Sequence, residues 1–168
     1  MLTLLAKILG ALSSDTRPLQ LSLAFGFAFL IGFNGFLSLV GLAVIALLFI
    51  VRVNLSIFLA MSAVFGVLSL LLSPLTAGLG KSLLTEPTWA EMWTSLYNTY
   101  WFRVFELNNT LELGAAVFSL FAFVPVVVVA HWLVLKYRKV FMDWVSRFKV
   151  VQTLKASKFY RIYEAVHG

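Results

Sequence analysis

The 168-residue sequence predicts an all-α integral membrane protein, and three observations carry that expectation. Hydrophobic residues make up 61% of the chain and charged residues 12%, against roughly 25% charged in a soluble domain. That leaves too little polar surface to cover a globule in water. Two uncharged runs, residues 54–73 and 113–135, are each long enough as helices to cross a hydrocarbon core of about 30 Å. A further uncharged stretch between Arg17 and Arg52 breaks once, at Asn34-Gly35, into arms of 14 and 16 residues, about 21 and 24 Å as helices. Arms this short, joined by a turn-forming dipeptide, read as a re-entrant helical hairpin that dips into the bilayer from the cytoplasmic side. The expected architecture is therefore that hairpin plus two transmembrane helices. Interfacial amphipathic helices are expected at the N-terminus, on the outer face and in the C-terminal tail.

Charge orients this arrangement. From Lys136 onward there are eight Lys/Arg and two acids, while the other 135 residues carry as many bases as acids, so the whole net charge of +6 sits in the tail. A basic tail beside a span favours the cytoplasmic side and anionic headgroups. No nucleic-acid motif accompanies it, so nucleic acid is not an expected partner. The absence of cysteine excludes disulfides and thiolate metal sites. The length fits a single domain, residues 1–168.

Residues 1–14 place Thr3, Lys7, Gly10 and Ser14 on one narrow stripe of an otherwise apolar helix, which suits a helix lying in the interface. A signal peptide would carry its basic residue before the apolar run, whereas Lys7 lies inside it. A turn follows, with Pro18 suited to the first turn of the next helix. Within the hairpin, residues 18–52, Ala24, Ala28 and Gly32 recur every four positions, a small face that serves first for packing the two arms. Phe25, Phe27, Phe29, Phe33 and Phe36 are expected to face lipid. The tip residues Gly32, Asn34 and Gly35 are candidates for lining a path. Arg17 and Arg52, at one membrane surface, are topology anchors with a capacity to hold a phosphate headgroup.

Residues 54–80 form the first expected transmembrane helix. Ser62, Gly66, Ser69 and Ser73 fall on one face at spacings of 4, 3 and 4, a contact line for another helix. Pro74 is expected to kink or end this helix, and the glycine-rich residues 75–80 to leave the membrane irregularly. Ser73 and Pro74 join the hairpin tip as candidate path residues.

Residues 87–107 open with Thr88-x-x-Glu91, a capping box. They place Trp89, Met92, Trp93, Leu96, Tyr97 and Tyr100 on one face, as in an interfacial anchor helix, with an aromatic binding groove as the alternative. Residues 82–112 hold one Arg and four Glu, which puts them outside. Asn108-Asn109-Thr110 caps the second expected transmembrane helix, residues 110–136. Glu112 suits its dipole, Pro125 is expected to bend it, and His131 sits near the inner interface. In the tail, residues 137–168, two apolar stripes ride on basic faces, as for two helices on the inner leaflet. Both termini are then cytoplasmic.

No known catalytic or phosphate-binding motif occurs. The two histidines lie far apart, and Glu106 and Glu112 do not share a helix face by spacing. No catalytic residue, metal site or cofactor is expected, and the chain is not expected to be an enzyme.

Three stretches carry a family resemblance. They are R-P-L-Q-L-S-L-A-F-G-F-A-F-L-I-G-F from Arg17, R-V-N at 52–54, and S-P-L-T at 73–76. Together they resemble the bacterial membrane family catalogued as domain of unknown function 2062, over roughly residues 13–80. The tail V-V-Q-T-L-K-A-S-K-F-Y-R-I-Y looks like that of a short branch of the family. Ser73 stands where the family usually has Asn, and Asn34-Gly35 where Pro is common. The resemblance implies a bacterial inner-membrane location and supplies no activity.

Function is accordingly expected to be non-catalytic. The chain reads as an accessory or scaffold subunit of a larger envelope complex, with a lipid-related role within that expectation. The alternative is a small homo-oligomeric transporter or lipid-handling protein that uses the broken hairpin. The expected partners are the phospholipid bilayer and a membrane protein or a second copy.

Overall fold

Six α-helices and one 3-10 turn account for the regular structure of the computed structural model, which describes residues 17–146 and side chains as far as residue 140. The helices are α1 (Pro18–Asn34), α2 (Leu39–Ile50), α3 (Leu55–Thr85), α4 (Ala90–Tyr97), α5 (Tyr100–Val104) and α6 (Thr110–Ser146), with the 3-10 turn Pro87–Trp89 between α3 and α4. No strand occurs among the described residues. Two helices, Leu55–Thr85 and Thr110–Val140 within α6, are long and apolar enough to cross a membrane.

Local chemistry sets the boundaries. Pro18 occupies the first turn of α1, where its missing N–H is not needed. α1 stops because Gly35 turns to φ 77°, a left-handed conformation that glycine adopts without strain. The Gly35 N–H still donates to Ile31 O at 2.7 Å. Ser38 starts α2 by accepting the Gly41 N–H at 2.9 Å, Asn54 starts α3 by accepting that of Ile57 at 3.1 Å, and Asn109 accepts that of Leu111 at 2.9 Å ahead of α6. Each is a side-chain cap on an otherwise orphaned donor.

α1 is the hub. It is apolar all round, and a helix of that kind belongs in a core. It packs against both α3 and α6, which also pack against each other, whereas α2 touches α1 alone to any extent. Leu21, Ala24, Phe27, Ala28, Leu30 and Ile31 of α1 are buried with Ile57 and Phe58 of α3 and Val134 of α6. α3 runs parallel to α1, with Gly32 backed directly onto Phe65 and Gly66. Further along, α3 and α6 cross with their backbones in contact. A Cβ on Gly80 would meet the Thr110 carbonyl, and one on Gly114 the Thr76 carbonyl. Thr76-x-x-x-Gly80 and Thr110-x-x-x-Gly114 are thus reciprocal halves of one antiparallel crossing, as small residues permit.

Several expectations change. The hairpin phenylalanines do not all face lipid: Phe27, Phe29 and Phe33 are buried. Phe29 stacks among Phe33, Phe65 and Phe118 at centroid distances of 4.6, 5.3 and 6.2 Å, because the two long helices enclose α1. Gly32 serves the α1–α3 contact rather than packing of the two arms. Pro74 does not end its helix, and residues 75–80 are helical, not irregular. Pro74 cannot donate to Leu70 O, but the Ser73 hydroxyl does so at 2.9 Å, and the Gly80 crossing on α6 holds the last turns. Ser73→Ala should therefore lower stability by about 1 kcal/mol, read as a shift in the unfolding midpoint in detergent.

The outer helix expected over 87–107 is three short pieces, interrupted at Asn98-Thr99. Thr88 bonds Glu86 instead of forming a capping box. α6 continues without a break past 136 to Ser146, so residues 137–146 extend that helix rather than starting a separate one. The expected helix over 1–14 and the tail beyond 146 lie outside the described residues.

Candidate functional site

Two polar rungs tie α1 to α6. Near the start of α1, the Ser22 hydroxyl lies 2.6 Å from Pro18 O and 3.0 Å from His131 Nδ1. A carbonyl can only accept, so the hydroxyl proton goes to Pro18 and Nδ1 donates to Ser22. At the end of α1, the Asn34 amide nitrogen donates to Leu30 O at 2.8 Å and to Ser119 Oγ at 2.7 Å, while Ser119 donates to Ala116 O at 3.2 Å. Ser22 and Asn34 are 12 positions apart, as are Ser119 and His131, so the helices run antiparallel in register with rungs about 18 Å apart. Midway, Gly26 lets Val127 and Phe123 close in. A double-mutant cycle on Asn34 and Ser119 should return a coupling of about 0.6 kcal/mol, the average for such bonds between membrane helices, and no more than about 1.7 kcal/mol.

Above the second rung lies a cavity with a partly polar lining, about 610 Å³, formed by the turn after α1 and by residues around the α5–α6 turn. Asn34, Gly35, Phe36, Leu37 and Ser38 form its floor, and Val104, Phe105, Glu106 and Glu112 its roof. Glu106 is the only non-glycine described residue with positive φ, 53°. Among the described residues, no Lys, Arg or His lines the cavity. Asn34 is 7% exposed, and its Oδ1 is buried with no hydrogen-bond partner among the described residues. A second cavity, about 590 Å³ and almost wholly apolar, opens between α1, α3 and α6 beside Phe25, Phe65, Pro125 and Tyr137.

Of the sequence candidates, Asn34 and Gly35 line the polar cavity. Gly32, Ser73 and Pro74 do not: Gly32 is taken up by α3, and Ser73 bonds its own helix. On the stripe, Ser62 is buried and bonds Phe58 O at 2.7 Å, and Gly66 meets Gly32. Ser69 donates to Gly66 O. The contact with α6 falls further on, at Thr76 and Gly80. Arg17 and Arg52 are exposed. Spacing within a single helix could not bring Glu106 to Glu112; the turn between α5 and α6 does. A legible signal for Ser119 was the matched spacing of 12 between the polar residues of two apolar helices. No group of three His, Cys, Asp or Glu able to hold a metal occurs among the described residues.

Comparison with protein-family models, with curated proteins and with solved structures gives no match for this chain.

Proposed function

We propose that the chain is a non-catalytic protein of the bacterial inner membrane, acting as an accessory or scaffold subunit of a larger envelope complex. Both termini lie in the cytoplasm, and the hairpin of α1 and α2 re-enters from that side. One observation carries the subunit reading. The turn at residues 35–38 is not helical, and Leu37 there is 86% exposed. The adjoining Asn34 is level with Ser119, seven residues and about 10 Å along α6 from Glu112. Irregular backbone at membrane depth is tolerated only where protein or a water-filled cavity covers it. The cavity under residues 104–106 and 112 covers one side of the turn; a partner helix over Leu37 and the exposed face of α2, which includes Leu39, Leu42, Leu47, Phe49 and Ile50, supplies the rest. The motifs that resemble domain of unknown function 2062 agree with the bacterial membrane setting.

The test is in-cell crosslinking and affinity purification of the tagged full chain from native membranes. One stoichiometric partner crosslinked through residues 35–50 is expected. Crosslinks to copies of the chain alone would overturn the subunit reading. They would favour the second one, a small homo-oligomeric transporter or lipid-handling protein, which the polar cavity at the broken hairpin motivates. Solute or lipid movement in reconstituted vesicles above that of empty ones then decides it.

A further inference from the structure

We infer that the cavity above the hairpin turn binds a primary ammonium group, carried by a lipid headgroup or by a free small amine. The inference is independent of whether the chain acts alone or as a subunit.

Among the described residues, the cavity offers negative charge and hydrogen-bond acceptors without a compensating cation. Glu106 and Glu112 line its roof, and no basic side chain of the described residues joins them. Its floor is the C-terminal end of α1, where the last carbonyls lack intrahelical donors and the helix dipole is negative. The buried Oδ1 of Asn34 adds an acceptor with no partner among the described residues. Its orientation is fixed. Leu30 O, 2.8 Å from the amide nitrogen, can only accept, so the amide cannot be exchanged end for end. A buried acceptor left unpaired is costly; it lies just beneath the cavity lining, so an incoming N–H donor satisfies it once that lining gives way. Phe36 and Phe105 also line the space, and aromatic faces attract cations.

The same features select among cations. A cavity of about 610 Å³ is far roomier than the close oxygen cage that a bare metal ion requires. A quaternary ammonium has no N–H to give Asn34 or the carboxylates. A primary ammonium gives three and still presents charge to the rings.

The full chain in phosphatidylglycerol nanodiscs, titrated calorimetrically with ethanolamine, tests this. Saturable binding is expected, with tetramethylammonium at least tenfold weaker. Glu106→Gln combined with Glu112→Gln should weaken ethanolamine binding at least tenfold. Glu106 is exposed, so Glu106→Gln alone, with helix content checked by circular dichroism, keeps the test open if the double variant misfolds; severalfold weakening is expected of it. In parallel, native mass spectrometry of protein from mixed phosphatidylethanolamine and phosphatidylglycerol nanodiscs reads the source. Retained phosphatidylethanolamine assigns a headgroup, and ethanolamine binding without lipid enrichment assigns a free amine. The proposal falls if there is neither saturable ethanolamine binding nor phosphatidylethanolamine enrichment. It also falls if whichever is seen survives unchanged in the folded glutamine variants.

Discussion

Replacing Gly80 or Gly114 with leucine is expected to separate α3 from α6 and lower stability by about 3 kcal/mol or more. Overpacking of an ordinary core costs about 1–3 kcal/mol because side chains can move aside. Here the obstructing atoms are the backbone carbonyls of Thr110 and Thr76, which cannot yield without moving a helix. Even alanine is expected to be costly at either position. Gly78 lies in the same stretch of α3 with open space beside it. Gly78→Ala should therefore be neutral or stabilise by up to about 1 kcal/mol, since alanine favours helix over glycine. Denaturant titration in mixed micelles, followed by circular dichroism, measures all of these. Equal effects at positions 78, 80 and 114 would mean that the crossing is not a backbone contact.

Phe29→Ala should destabilise by about 2 kcal/mol, and Phe49→Ala by about 0.5 kcal/mol or less. Phe29 is 5% exposed and touches three other rings, while Phe49 is 88% exposed. Between lipid and a protein core the transfer term nearly vanishes, because lipid tails are as apolar as the core. What remains for Phe29 is the cavity its ring leaves, at about 24 cal/mol per Å³. Phe49 leaves no cavity, since lipid or a partner fills its place. The same micelle titration reads the difference. A Phe29 variant as mild as the Phe49 one would remove α1 from the centre of the structure.

That contrast also marks how far the sequence can be read. Arg17, Pro18, Asn34-Gly35, Arg52 and Asn109 locate the helix ends to within a few residues, because capping and turn chemistry are local. Which face of α1 meets protein is not local. α1 carries apolar residues on every side, so its pattern holds no direction, and its phenylalanines read as lipid-facing until α3 and α6 are in place. Pro74 misleads for a related reason: the loss of its N–H is visible, but the compensating bond from Ser73 to Leu70 depends on a rotamer. The polar cavity was half legible. Asn34 and Gly35 stand out as a break, whereas Glu106 reaches Glu112 only through a turn in which it adopts positive φ.

The two polar rungs also constrain how the molecule can move. A slide of α1 along α6 by one helical turn would part Ser22 from His131 and Asn34 from Ser119 at the same moment. Both pairs would then be stranded among apolar side chains. The two helices are therefore geared as one stiff lever, and α1 cannot travel as a piston on its own. The α1–α3 seam at Gly32 and Gly66 is smooth by comparison, and α2 leans on α1 alone. Because the Gly80–Gly114 crossing also locks α6 to α3, displacement of the hairpin turn is cheapest as a swing of α2.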